Sequence, residues 1–124
     1  MERNTAQRRA IHKALEETGR PMGPNEIFEA AKSYAPGLGI ATVYRAIKNL
    51  LEETVLAQVD LPGEPPRYEL SGKEHHHHFR CNSCKKVYDV DGCPNAFKQF
   101  LPKGFQLEGH ELYLFGVCTA CGAA

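Results

Sequence analysis

The chain carries no net charge: fifteen Lys+Arg balance fifteen Asp+Glu over 124 residues. That balance excludes a strongly basic protein, so any nucleic-acid contact must rest on local placement of cations. Residues 1–52 hold 8 basic against 6 acidic side chains, a surplus of two, and the remainder holds 7 against 9, a skew too weak to point to DNA alone. No apolar run approaches the length of a membrane span. Met1-Glu-Arg-Asn-Thr5 is not an apolar signal segment. No membrane partner is therefore expected, and the expected location is the cytoplasm, where cysteines stay reduced and bind metal. The chain also lacks a His-Glu-x-x-His segment. A hydrolase built on an open zinc would need a general base and a water-bearing pocket instead, so neither an enzyme nor a small-molecule substrate is expected. The length suits one domain or two small ones, and small domains often depend on a metal or a partner subunit.

Four of the five cysteines fall into two pairs, Cys81-Asn-Ser-Cys84 and Cys118-Thr-Ala-Cys121. A two-residue gap lets both thiols of a pair wrap around one ion from a tight turn, and two such pairs close a tetrahedral four-thiolate shell. A closed shell has no open position for substrate, which marks a structural zinc. A thiol/disulfide redox pair would instead sit at a helix start, often beside a βαβ pattern, and neither is evident.

Two halves differ in character, with the change near Ser71-Gly-Lys73. Before it, apolar residues recur at helical spacing: Ala10, Ile11, Ala14 and Leu15; then Ile27, Phe28, Ala31 and Tyr34; then Val43, Ala46, Ile47, Leu50 and Leu51. Asn4 with Gln7 predicts a capped start for the first helix. Pro24 opens the second, Pro36-Gly37 ends it, and the third spans Ala41 to Glu53. Two short strands follow, Val55 to Asp60 and Arg67 to Leu70, across a proline-rich turn. Three helices and a hairpin outline a winged helix-turn-helix, whose third helix is the candidate reader of the DNA major groove. Its polar face shows Tyr44, Arg45 and Lys48; Arg45 suits guanine or phosphate. The second half is strand-rich, with apolar Phe79, Val87, Val90, Leu112, Leu114 and Val117, and one helix predicted from Pro94 to Leu101.

His75-His-His-His78 runs directly into Phe79-Arg-Cys81. On a strand, successive side chains point to opposite faces. His76 and His78 then share one face, His75 and His77 the other, so one strand can donate two ligands to each of two metal sites; the alternative is a solvated polar strand. Glu69, Glu74, Asp89 and Asp91 are nearby carboxylates, and His110 is a further imidazole. Imidazole with carboxylate makes a site more reversible than four thiolates.

Ile40-Ala-Thr-Val-Tyr-Arg-Ala-Ile-Lys-Asn-Leu-Leu-Glu-Glu53, Arg67-Tyr-Glu-Leu70, the His75–Cys84 stretch and His110-Glu-Leu-Tyr-Leu-Phe-Gly-Val-Cys-Thr-Ala-Cys121 resemble the ferric uptake regulator family in order and spacing. The His-rich run after Gly-Lys-Glu most resembles its zinc uptake regulator branch. The resemblance implies an α+β protein, with a winged helix over 1–71 and a small α/β dimerisation domain over 72–124. It implies a homodimeric repressor of metal-homeostasis genes that binds double-stranded operator DNA when a divalent metal is bound. Cys81, Cys84, Cys118 and Cys121 would hold structural Zn2+. Glu69, His76, His78 and Asp89 would hold the regulatory ion, with Zn2+ favoured over Fe2+ or Mn2+. His75, His77 and His110 would form a second site, with Asp91 or water supplying its oxygen because Ala96 stands where relatives carry a carboxylate. Arg3, Thr42, Tyr44, Arg45 and Lys48 would contact DNA.

Pro21 replaces a ligand histidine of many relatives, which leaves Glu69 as the ligand from the first half. Glu69 also stands where peroxide sensors carry aspartate, which disfavours peroxide sensing. Cys93 is expected as a half-buried small hydrophobe. The rival readings are an iron- or peroxide-responsive regulator, and a zinc interaction or metal-buffer module that never touches DNA.

Overall fold

The computed structural model describes residues 2–93 and 97–122, the first four of them as backbone. Two compact units make up the chain, Met1–Lys73 and Glu74–Ala124.

The first unit holds α1 (Glu2–Thr18), α2 (Pro24–Ala31), α3 (Ile40–Glu52), β1 (Leu56–Val59) and β2 (Arg67–Leu70). β1 and β2 pair antiparallel from Leu56 opposite Leu70 to Val59 opposite Arg67. Met22 adds a bridge to the hairpin through a reciprocal pair of backbone bonds with Tyr68, 2.9 and 2.8 Å. The helical stripes converge on one core of Ile11, Leu15, Met22, Ile27, Val43, Ile47, Leu50 and Leu56. Removing these side chains from water is the main force holding the helices together, at roughly 1.5–3 kcal/mol for each large one. The arrangement is a winged helix.

Three local expectations give way. Asn4 lies inside α1, which begins at Glu2, so it is not a cap. The second helix stops at Ala31 rather than near Pro36. Tyr34 consequently leaves the apolar stripe: it is 42% exposed, its hydroxyl donates to Glu17, and Lys13 sits 5.0 Å above its ring. Thr54 ends α3 at φ 58°, the left-handed region that glycine commonly fills at helix ends. The turn lets Val55 N–H bond back to Leu50 C=O at 2.9 Å and directs the chain into β1.

The second unit is a sheet of order β4-β3-β5, with β3 (His76–Cys81) central, β4 (Val87–Asp91) antiparallel to it and β5 (Tyr113–Gly116) parallel. Of the predicted Pro94–Leu101 helix, residues 94–96 lie outside the described residues, and Phe97–Phe100 form a 3₁₀ turn. A four-residue helix, α4 (Thr119–Gly122), carries the second cysteine pair's last member. Among the described residues of this unit, only Cys81 and Val87 are buried hydrophobics. A unit with so little apolar core needs another source of stability.

Candidate metal centres

Parallel pairing of β3 with β5 sets Cys81 opposite Gly116. Both cysteine pairs therefore emerge from the same end of the sheet. The Cys81–Cys84 turn closes with Lys85 N–H bonded to Cys81 C=O at 2.9 Å, and Lys85 at φ 67° turns the chain back toward β4. The four sulfurs lie within 4.8 Å of one another, and Cys84 Sγ is 3.9 Å from Cys118 Sγ. A tetrahedron of metal–sulfur bonds near 2.3 Å has sulfur–sulfur edges of roughly 3.8 Å. A disulfide would need about 2.05 Å, and none of the five cysteines forms one.

The electrostatics favour the same reading. Backbone N–H groups of Cys84 and Cys118 donate to Cys81 Sγ, each at 3.4 Å, and pull that thiol down to about 6. Cys118 is lowered by the Cys121 backbone N–H and by the Tyr88 hydroxyl. Donation to Cys118 in turn pushes Cys121 and Tyr88 up to about 12 each. Thiolates this close cannot all ionise beside one another without a cation between them. The cluster fits Zn2+, with Tyr88 as an outer-shell donor.

The histidine run divides by face. His78 stands opposite Asp89 across β3 and β4. Asp89 Oδ1 lies 3.4 Å from His78 Nε2 and 3.6 Å from His76 Nε2. His76 Nδ1 is 2.7 Å from Glu74 C=O. That contact makes Nδ1 the donor and directs the Nε2 lone pair toward Asp89, the usual way a ligand histidine is oriented. Glu69 belongs to the first unit, on β2 opposite Ala57, and its carboxylate accepts from Lys73 Nζ at 3.2 Å.

On the other face, His75 Nε2 lies 3.1 Å from His77 Nε2, which lies 3.3 Å from His110 Nε2. The parallel register of β5 explains His110: His78 is level with Tyr113, so three residues back His75 meets His110. Asp91, the expected oxygen donor, ends β4 and is exposed; the ligand atom that joins the three imidazoles is Cys93 Sγ, 3.1 Å from His110 Nε2. Cys93 is thus no mere apolar filler. Its sequence position gave no signal, because the residues it meets are distant along the chain.

On α3, Tyr44 is 55% exposed and Arg45 and Lys48 are exposed beside it. Arg45 Nη2 donates to Thr42 Oγ1 at 3.2 Å, which holds the guanidinium on the outer face. Arg3 lies in α1, and its side chain falls outside the described residues.

Comparisons with known proteins bear on the family and the fold. The family model described as "Ferric uptake regulator family" matches residues 2–115. The ferric uptake regulation protein of Campylobacter jejuni is 33% identical over 122 residues, covering 94% of this chain and 78% of the relative. A solved zinc-bound manganese uptake regulator superposes with TM-score 0.80 at 28% identity, covering 90% of this chain and 87% of that one. The Helicobacter pylori ferric uptake regulator Fur, whose structure reveals three functional metal binding sites, superposes with TM-score 0.68 at 25% identity over 94% of this chain and 79% of that one. The chain belongs to the ferric uptake regulator family and is a metal-responsive transcription regulator rather than an enzyme.

Proposed function

We propose that this chain is a homodimeric repressor of metal-uptake genes that binds operator DNA when a divalent ion, zinc by preference, occupies the His76, His78 and Asp89 face together with Glu69. The observation that carries the reading is the separation of two donor chemistries along β3: four thiolates gather around its C-terminal end, while the His76 and His78 imidazoles face Asp89 of the neighbouring β4. The first set suits a permanent ion and the second an exchangeable one. Asp89 and the fixed His76 tautomer hold the donors of the 74–124 unit in place for that ion.

Arg45, Tyr44, Thr42 and Lys48 form the reading face in this proposal, with Arg3 approaching the minor groove. Dimerisation falls to the 74–124 unit. Its β5 is an edge strand, and Phe100, Phe115 and Val117 are 81%, 63% and 54% exposed. Large apolar side chains left exposed beside an open strand edge suit an interaction surface, and a second copy meeting it edge to edge gives a closed two-fold. No described helix is long and apolar enough to cross a membrane, and the proposed setting is the cytoplasm.

Iron is the second reading, because the curated relatives at 33% and 32% identity are ferric uptake regulation proteins. One experiment separates these readings: binding to a promoter library by chain that retains its four-thiolate zinc, titrated with Zn2+, Fe2+ and Mn2+ in turn. Zinc-dependent retention of particular promoters at the lowest free concentration supports the proposal. Retention driven first by Fe2+ selects the iron reading, and no retention with any ion leaves a zinc-carrying interaction module.

A further inference from the structure

We infer that Cys93, with His75, His77 and His110, completes a three-imidazole, one-thiolate centre for a borderline divalent cation, zinc before manganese. The proposal concerns the face of β3 opposite the regulatory site and stands whether or not the regulatory assignment holds.

Geometry comes first. Tetrahedral coordination with metal–nitrogen bonds of about 2.0–2.1 Å and a metal–sulfur bond of about 2.3 Å gives ligand–ligand edges of roughly 3.3–3.6 Å. The contacts His75 Nε2–His77 Nε2, His77 Nε2–His110 Nε2 and His110 Nε2–Cys93 Sγ are 3.1, 3.3 and 3.1 Å. All four ligand atoms fall within 4.8 Å of one another. Hydrogen bonds would serve these contacts one pair at a time, whereas one cation at their focus serves all four groups together.

The surroundings hold the ligands in place. His77 is the buried member, 6% exposed. Its ring bonds to the Leu112 backbone, and burial is the main reason its pKa is lowered, which favours the neutral imidazole that ligation requires. Phe97 stacks on His110 with ring centroids 4.5 Å apart. Gly92 at φ 83° turns the chain after β4 and so aims Cys93 toward the imidazoles. Val90, Phe100, Leu112 and Leu114 line an open, mostly apolar cavity of about 640 Å³ beside His77 and Cys93.

A thiolate in place of a carboxylate changes which ion the site takes. Thiolate and imidazole suit zinc and cobalt, whereas oxygen donors suit manganese and magnesium. As the ion binds, the Cys93 thiol gives its proton to solvent and its sulfur pair to the metal. The sulfur is then withdrawn from alkylating reagents, so the centre reports its own occupancy through thiol reactivity.

The experiment uses full-length chain retaining its four-thiolate zinc. Iodoacetamide labelling of Cys93, read by peptide mass spectrometry, is followed with and without added Zn2+ or Mn2+. Zinc is expected to slow labelling about tenfold or more and manganese to leave it unchanged; His110→Ala should lose the protection, since removing a ligand costs at least the roughly tenfold in affinity that outer-shell partners cost. In parallel, Co2+ added to the chain should bring a near-ultraviolet sulfur-to-cobalt absorption that survives His76→Ala and disappears in Cys93→Ser. Labelling unaffected by zinc, or equal protection by manganese, overturns the proposal. So does a cobalt band unchanged in Cys93→Ser.

Discussion

Substituting Cys118 by serine removes one of the four thiolates that close the Cys81–Cys84–Cys118–Cys121 shell. A structural zinc of this kind is worth on the order of 10–16 kcal/mol to the fold that holds it. Whole domains are stable by only about 5–15 kcal/mol. The 74–124 unit has little to set against such a loss, because Cys81 and Val87 are its buried hydrophobics among the described residues, and Cys81 is itself a ligand. The 1–73 unit keeps an independent core built on Ile11, Ile27, Val43 and Leu50. Cys118→Ser should therefore unfold one unit and spare the other. Amide hydrogen exchange read per residue is the assay: protection should vanish along β3, β4 and β5 and persist in α1 and α3. A strong chelator added to the unsubstituted chain should reproduce the pattern. Full protection of β3 in zinc-free protein would refute the reasoning, since it would mean that the sheet holds without its clamp.

Three further outcomes are expected. Arg45→Ala should weaken promoter binding by about tenfold or more at fixed salt, the worth of roughly 1–3 kcal/mol for one guanidinium on a base, with zinc content unchanged; filter binding at one salt concentration checks it. Phe115→Asp should raise the dimer dissociation constant by roughly a thousandfold, from about 2 kcal/mol of lost burial per copy counted twice by symmetry, measured by sedimentation; an unaltered dimer removes β5 from the interface. The exposed Arg8–Glu53 pair joins α1 to the end of α3, with Arg8 Nη1 donating to Glu53 Oε2 at 2.8 Å. Hydrogen bonding to Arg8 lowers the Glu53 pKa below its ordinary 4.5. The pair's contribution is therefore complete above that value and is lost as pH falls below it. Glu53→Gln should flatten this part of the stability profile in acid titrations followed by circular dichroism.

Much of the architecture was legible because it depends on local periodicity and spacing. The α3 stripe of Val43, Ala46, Ile47 and Leu50 is buried as its 3.6-residue pattern requires, and the alternation of the histidine run follows from strand geometry alone. Tyr34 was misjudged for the opposite reason: its spacing continues the α2 stripe, but the helix ends at Ala31 and the ring turns out to meet Glu17 and Lys13. Cys93 was missed because its neighbours are set by long-range pairing. Only the parallel register of β5 beside β3 brings His110 level with His75, and only then does a thiol after β4 find three imidazoles waiting.

The division between a permanent thiolate clamp and an exchangeable regulatory ion is tested most directly by a single titration on His78→Ala beside the unsubstituted chain. Zinc per chain, dimer fraction and promoter affinity would be read together as free Zn2+ is raised. Both chains should keep one tightly held zinc and remain folded, and only the unsubstituted chain should gain promoter affinity with added metal. Promoter binding that is equally strong in the absence of exchangeable metal, or a His78→Ala chain that responds as the unsubstituted chain does, would contradict that division.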